Sequence, residues 1–509
     1  MSYALTFVKT DRTMNIYSKK IIFLAFIMLS TGFLSAQTTK KYTLQEVIHI
    51  AQKQSPDALM AIHRFRKSYW SYRTFKASYL PQLSFDATLP SINRSINPIA
   101  SQEGTTVYTS QSLTNYSGGL SLNQKIGFTG GEVFLNTGAQ RLDNFVGNTS
   151  SHQYLANIVN IGISQPLFTY NPYKWDKKIE PLKYEEAKRT YLESNEQVAI
   201  KAIDYFFSLL SAQIEQQIAL KNYHNYDTLY QIAKGRFNLG KIAENELLQL
   251  QLNFLKADAS VEQARLNYND KLYRFKSFLR LKDEAAVKLI PPVLTSFFKV
   301  PVKKAIEEAK NNTSTGLSFQ QRLLEAASEL NQAKLTGRFN MNIYASFGLT
   351  QTAGNLPDAY LDPLDQERVS LGIHLPLLDW GRAKGNIRIA RSNEDLVKTA
   401  VEQDRIDFEQ NIFLKVMNFG MQKKQLTIAA KSDTVAQRRF DVTQKRYMIG
   451  KINDVLELNN AQIDNDNAML NYLNALKNYW ENYYELRKLT LFDFQDNQPI
   501  KLDTKQLIK

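Results

Sequence analysis

Arg236-Phe237-Asn238-Leu239-Gly240-Lys241-Ile242 recurs 210 residues later as Arg446-Tyr447-Met448-Ile449-Gly450-Lys451-Ile452. The same offset carries Ile163-Ser164-Gln165-Pro166-Leu167-Phe168 onto Ile373-His374-Leu375-Pro376-Leu377-Leu378. Two separated motifs sharing one offset mark an internal duplication. Nearer the start the offset is 258, with Leu44, Ile48 and Ala51 matching Val302, Ile306 and Ala309. The difference, 48 residues, places an insertion in the first repeat between about Pro81 and Gly162.

Each glycine motif sits between two long helical patterns. No Gly or Pro interrupts residues 182–234 or 241–290, and at 1.5 Å per residue the first alone predicts a rod of roughly 80 Å. Apolar positions step by four and three in Val198, Ala202, Tyr205, Leu209 and Ala212, in Tyr268, Leu272, Phe275 and Leu279, and in Met469, Leu473, Leu476, Trp480 and Tyr483. That is coiled-coil spacing with small or polar residues in the seam. Gly240 and Gly450 then supply the left-handed cap that reverses the chain between paired rods. A further helix opens at Thr43, where Thr43 and Glu46 form a capping box, and runs with a break near Pro56 to about Ser78.

Between the helices the hydrophobic period falls to two. Leu83, Phe85, Ala87 and Leu89 alternate with polar residues, as do Val159, Ile161 and Ile163. In the second repeat the pattern is Phe339 to Leu349 at every odd position, then Val369, Leu371, Ile373 and Leu375. These runs have about the 9–11 residues of a tilted membrane strand. A sandwich edge could alternate in the same way. No stretch offers 18 consecutive apolar residues, so a membrane-spanning form would have to be a closed barrel, which pairs every backbone group. The inserted segment, about residues 86–157, holds a Ser/Thr/Asn-rich stretch over 91–117 and another alternating pair, Leu120-Leu122 and Val133-Leu135, around Gly130-Gly131. It predicts either an extra hairpin or strand extensions beyond the membrane, and belongs on this reading to the outer half of a barrel or its loops. Residues 351–367 form the short acidic loop of the second repeat, expected outside.

Lys19 and Lys20 precede an apolar stretch at 21–34 and then Ser35-Ala36-Gln37, the pattern of a signal peptide over residues 1–36. Met14 marks an alternative start, making 1–13 an over-called leader. The expected organisation is a first repeat over 37–290, a second over 291–490 and a tail at 491–509. The chain has no cysteine, which excludes disulfides and a lipid-bearing N-terminal Cys. Net charge is +14; removing Lys9, Arg12, Lys19, Lys20 and Asp11 leaves +11. The remaining basic residues are spread along the helical segments among acidic ones rather than clustered, the pattern of solvated faces, so no nucleic-acid partner is expected.

Five histidines, His49, His63, His152, His224 and His374, show no metal-ligand spacing, and His374 falls on the polar side of its strand. Asp464-Asn465-Asp466-Asn467 lacks the glycine and the twelfth-position Glu of a calcium loop. No nucleophile elbow, Walker loop or Rossmann fingerprint is present, so neither cofactor nor catalysis is expected.

Duplication, alternating strands, paired rods and glycine turns together resemble the TolC-like outer membrane efflux family over about residues 42–490. The carriers are Tyr79-Leu80-Pro81-Gln82-Leu83, Gln165-Pro166-Leu167-Phe168 with its second copy, and the two Arg-aromatic-x-x-Gly-Lys-Ile turns. The resemblance implies an α+β membrane protein in which three subunits each give four strands to a 12-stranded β-barrel, with an α-helical tunnel crossing the periplasm. It implies an exit duct for efflux or type I secretion in the outer membrane lipid, a homotrimer whose partners are a periplasmic adaptor and an inner-membrane pump. A soluble periplasmic coiled-coil scaffold is the alternative, and an exported hydrolase ranks third.

The turns Gly240, Lys241, Ile242 and Gly450, Lys451, Ile452 are then the expected adaptor contacts. In the family, a tyrosine three residues before the second glycine meets an acid six residues after the first. Tyr447 and Glu246 occupy those positions, with Glu for the usual Asp, and Ile452 replaces the family's arginine. Relatives also carry acidic rings near the second turn. Asp454 and Glu457 lie close, while an ungapped alignment puts Leu456 and Asn459 there; the other reading of these acids is solvated helix-start residues.

Overall fold

The computed structural model describes residues 40–508 apart from 101–103, 147–148, 283–285, 294–296, 452–454 and 503–506. The expected signal peptide, Ile452 and Asp454 lie outside the described residues. The chain divides into two compact units, 1–51 with 202–295 and 439–466, and 52–201 with 296–438 and 467–509.

The duplication shows in the element boundaries. Helix α1 (Leu44–Gln54) opens on the expected capping box, with Thr43 N donating to Glu46 Oε2 at 2.8 Å and Glu46 N to Thr43 Oγ1 at 3.4 Å. Its counterpart α5 (Val302–Asn312) begins and ends 258 residues later. After α2 (Pro56–Ala77), capped by Ser55 accepting from Ala58 N, the counterpart is α6 (Ser314–Thr336). The long helices α3 (Pro172–Asn238) and α7 (Arg382–Met448) both have 67 residues, offset by 210 at either end. Helices α4 (Glu244–Phe278) and α8 (Val455–Thr490) follow them. Helix α3 begins ten residues before the expected rod and passes through Pro181. The proline removes one helical N–H there, and the helix continues.

In the first unit, β1 (Lys40–Tyr42) pairs in parallel with β6 (Val287–Leu289). Gln213 on α3 fastens that pair, donating to Val287 O at 2.8 Å and accepting from Leu289 N at 3.3 Å. Of the expected seam in this unit, Ala202, Leu209, Ala212, Phe275 and Leu279 are 0–1% exposed, whereas Tyr205, Tyr268 and Leu272 are half-buried.

In the second unit a single antiparallel sheet holds β2 (Gln82–Ala100), β3 (Thr106–Ile126), β4 (Gly131–Val146), β5 (Thr149–Leu167), β7 (Asn340–Ala353) and β8 (Leu364–His374), in that order. The four expected strands are β2, β5, β7 and β8. The insertion adds β3 and β4, so the sheet has six strands where the resemblance implied four. Alternation about Gly130, at φ +80°, folds the added segment into a hairpin that pairs along both neighbours. The hairpin runs the full depth of the sheet rather than staying in an outer half: its strands pair along both neighbours, and Asn171, just before α3, donates to the Gly127 carbonyl of its turn at 3.2 Å.

A buried ionic cluster anchors the C-terminal segment in this unit, where β9 (Phe492–Asp493) pairs with β10 (Gln498–Pro499). Arg487 donates to both oxygens of Glu196, at 2.9 and 3.2 Å, and also to Asp493, which accepts from Tyr483 Oη as well. Glu196 is 2% exposed. Burial pushes its carboxyl above the usual range, and Arg487 opposes that shift.

Candidate functional site

Residues paired across an antiparallel ladder project to the same side, so register sorts the sheet into two faces. One row runs Leu83, Leu122, Leu135, Ile161 and Phe347 across β2, β3, β4, β5 and β7 and ends at Glu367 on β8. A neighbouring row on that side is Val133, Ile163, Ala345 and Val369. The opposite side carries Ser84, Ser121, Asn136, Asn160, Gly348 and Gln366. Such a sheet has one side suited to lipid and one to water.

Aromatic residues bound the apolar side. Towards the strand ends away from the helices, Arg141 lies between the rings of Tyr116 and Tyr154, 5.9 and 5.7 Å from their centroids. These three residues form one register row on β3, β4 and β5. At the other end Phe168 packs on Phe339 at 6.0 Å, and Phe128 and Trp380 are nine-tenths exposed. Aromatic girdles at both borders of an apolar band are what a membrane barrel presents to the interfaces. The other side of the sheet stays polar, although Phe134 stacks on Tyr344 across Gly162, where a Cβ would sit 2.3 Å from the Phe134 ring.

In the first unit the two glycine turns have one geometry. Gly240 at φ +65° donates to Phe237 O at 2.8 Å, and Lys241 N to Arg236 O at 3.0 Å. Gly450 at φ +74° donates to Tyr447 O at 3.1 Å, and Lys451 N to Arg446 O at 3.0 Å. This is the Schellman closure of a helix, which a glycine in the left-handed region permits. Lys241 and Lys451 are exposed. Ile242 instead packs against a buried cluster containing Leu229, Ala233, Leu250, Phe440 and Tyr447. The exposed aliphatic side chains of the turns are Leu239 and Ile449, 73% and 67% exposed, another pair related by the 210 offset.

The chain belongs to the outer membrane efflux protein family. That family's profile matches residues 130–279 and 319–490, more than half of the sequence. No curated protein matches. Among solved structures the fold is similar to the CmeC outer membrane channel of Campylobacter jejuni, at 15% identity and TM-score 0.64, covering 91% of this chain and 88% of that one. It is similar to VceC of Vibrio cholerae, at 13% identity and TM-score 0.60, covering 88% and 95%. The open state of MtrE from Neisseria gonorrhoeae gives 14% identity and TM-score 0.52, covering 88% of each chain. This efflux protein is therefore an outer-membrane channel, an exit duct, and not a soluble scaffold.

Of the efflux protein's expected gate residues, Tyr447, Glu246 and Glu457 lie among the described residues. Tyr447 is 1% exposed in the apolar cluster. Burial raises its phenol pKa, Arg236 acts against the rise, and Glu246 adds to it. Among the described residues, the buried Glu246 Oε2 has no hydrogen-bond partner, so a phenol-to-carboxylate bond to that oxygen is not formed. Glu457 is half-buried in the first turn of α8.

The tie the sequence did not reveal belongs to Arg236. Its Nη2 donates to Met448 O at 3.0 Å and Tyr447 O at 3.3 Å, and its guanidinium lies 5.5 Å from the Tyr447 ring centroid. An arginine at the end of α3 thereby caps the Met448 carbonyl at the end of α7 and adds a second donor to the Tyr447 carbonyl, which already accepts from Gly450 N. The signal was present in the turn motif, but its partner lies 211 residues away. A polar layer follows within the same unit. Asn459 Oδ1 accepts from Tyr226 Oη and Asn253 Nδ2, both at 3.1 Å, and Asp466 accepts from Asn222 at 2.7 Å and Gln462 at 3.0 Å. Burial, then Asp466, pushes the Tyr226 phenol up to about 12.

Proposed function

We propose that this channel is the exit duct of a tripartite efflux or type I secretion assembly, working as a homotrimer docked to a periplasmic adaptor and an inner-membrane pump. The observation that carries the reading is the two-faced sheet, which needs lipid on one side and water on the other. The paired helices end in two equivalent turns that present Leu239 with Lys241 and Ile449 with Lys451. Repeated small turns with one cation and one exposed aliphatic suit docking by several copies of one adaptor. Movement through such a duct is passive, so the driving energy comes from the partner. Tyr447 and Arg236 form the joint between the two helix pairs at that end, Glu246 lies in the first turn of α4, and Asp454 and Glu457 lie just beyond the second turn in sequence.

Fractionation of cells expressing the protein tests the assignment. It is expected to stay with the outer membrane after a salt wash and to migrate as an oligomer until heated. Recovery as a soluble periplasmic monomer would overturn the reading.

A further inference from the structure

We propose that the β3–β4 hairpin is membrane wall, and that three copies of the chain close a barrel of eighteen strands. The proposal rests on the channel reading above and concerns how its wall is built.

Three observations carry it. The hairpin is paired along both flanks: β3 with β2 from Gln82↔Asn123 to Ala100↔Thr106, and β4 with β5 from Glu132↔Ser164 to Val146↔Thr149. A plug folded into a lumen, or a loop standing in outside water, would leave β2 and β5 to pair with each other, and here β3 and β4 separate them. One apolar row, Leu83, Leu122, Leu135 and Ile161, continues through the hairpin, and Leu120 and Val133 lie on the same side opposite Thr137 and Gln124. Finally, the hairpin turn lies at the helix end of the sheet, where Gly130 faces Asn171.

Closure then fixes the occupant of the open edges. Among the described residues β2 and β8 each pair on one side only, and unpaired strand edges are not tolerated in lipid. Six strands are too few to close alone, since known membrane barrels begin at about eight. In an antiparallel six-stranded sheet the first and last strands run in opposite directions, so β8 of one copy meets β2 of the next in antiparallel sense. A second copy of this chain is therefore the partner of each edge, and three six-stranded sheets give eighteen strands. Barrel diameter grows roughly linearly with strand number, which makes this barrel about half again as wide as one of twelve. Its water-facing side carries polar side chains such as Ser121, Asn136 and Asn160, with Asp86, Glu132 and Arg368 among them.

The chain has no cysteine, so single substitutions report cleanly. In outer membranes, a membrane-impermeant maleimide is expected to modify Ser121→Cys and Asn136→Cys but not Leu120→Cys or Leu135→Cys. A lipid-soluble maleimide should modify all four. Equal aqueous labelling of all four would overturn wall placement, and conductance in planar bilayers, measured on each variant, would show that the duct itself survives. For strand order, Phe85→Cys combined with a cysteine at successive β8 positions from 366 to 373 should give disulfides between chains. A disulfide within the chain between Phe85→Cys and Ile161→Cys would show β2 beside β5 and remove the hairpin from the wall. Native mass of the detergent-extracted channel should equal three chains. A mass of two chains would mean twelve strands and overturn eighteen, while absence of both membrane fractionation and conductance would count against the channel reading instead.

Discussion

Replacing Arg236 with methionine keeps most of the aliphatic stem and removes the guanidinium that joins α3 to the end of α7. The arginine makes two charge-assisted hydrogen bonds, to Met448 O at 3.0 Å and Tyr447 O at 3.3 Å. Bonds of this type contribute roughly 1.5–3 kcal/mol when shielded. Arg236 is only half-buried and Tyr447 O also accepts from Gly450 N, so the joint should lose about 1.5 kcal/mol, at the low end. At 1.4 kcal/mol per factor of ten, local opening becomes about tenfold more frequent. Hydrogen exchange read by mass spectrometry should therefore accelerate about tenfold at Gly450 and Lys451, while exchange over α5 stays unchanged. Resting conductance in planar bilayers should rise in the same variant. Arg236→Lys retains the charge but not the planar fork and should fall between the two. Wild-type exchange and conductance in Arg236→Met would refute the idea that this contact holds the two helix pairs together.

Removing the cation of the buried cluster, as Arg487→Met, should destabilise the protein by about 3–5 kcal/mol, because Glu196 and Asp493 would remain buried without it; thermal melting in detergent measures this. The Glu196 carboxyl is raised by burial, so its folded form holds a proton at pH values where the unfolded chain has released it. Its contribution is present below the ordinary glutamate pKa and is lost as pH rises through the folded value. Arg487→Met should extend that loss to higher pH, and a melting curve with the same pH dependence as wild type would exclude the explanation. Gly162→Leu should lower the yield of heat-modifiable oligomer through collision with the Phe134 ring and the Ala345 carbonyl, 2.3 and 2.7 Å from a Cβ; Phe134→Ala should relieve only the first. At the turns, Gly240→Val and Gly450→Val force a β-branched residue into the left-handed region, whereas Gly→Asn is better tolerated there. If the turns dock an adaptor, Leu239→Asp with Ile449→Asp should abolish transport while oligomer yield and resting conductance stay at wild-type levels. Tyr447→Phe and Glu246→Gln should each leave resting conductance at the wild-type value, since among the described residues the buried Glu246 Oε2 has no hydrogen-bond partner; a rise in both would show that the phenol and the acid do hold the end closed.

Much of this architecture is legible in the sequence because duplication writes every element twice. The 258 offset relates 44–54 to 302–312, and the 210 offset relates 172–238 to 382–448. What remained open depended on partners distant in the chain. Alternation in Leu120-Leu122 and Val133-Leu135 says which side each residue takes in a strand, but not whether that strand joins the main sheet. Likewise the turn motif orders Leu239, Gly240, Lys241 and Ile242, yet the closed helix end turns Ile242 inward and leaves Leu239 exposed. The position of the insertion itself follows from strand direction. Without the β3–β4 hairpin, β2 and β5, with 19 residues each, would form one hairpin. Two added strands restore the direction of β5, so it still delivers the chain to α3 at the helix end of the sheet. A single added strand would have left the chain at the far side, with no route to Pro172 except through the membrane layer. An insertion in this wall must therefore come as a strand pair, and the 210-residue register downstream of it is preserved because nothing beyond β5 had to move.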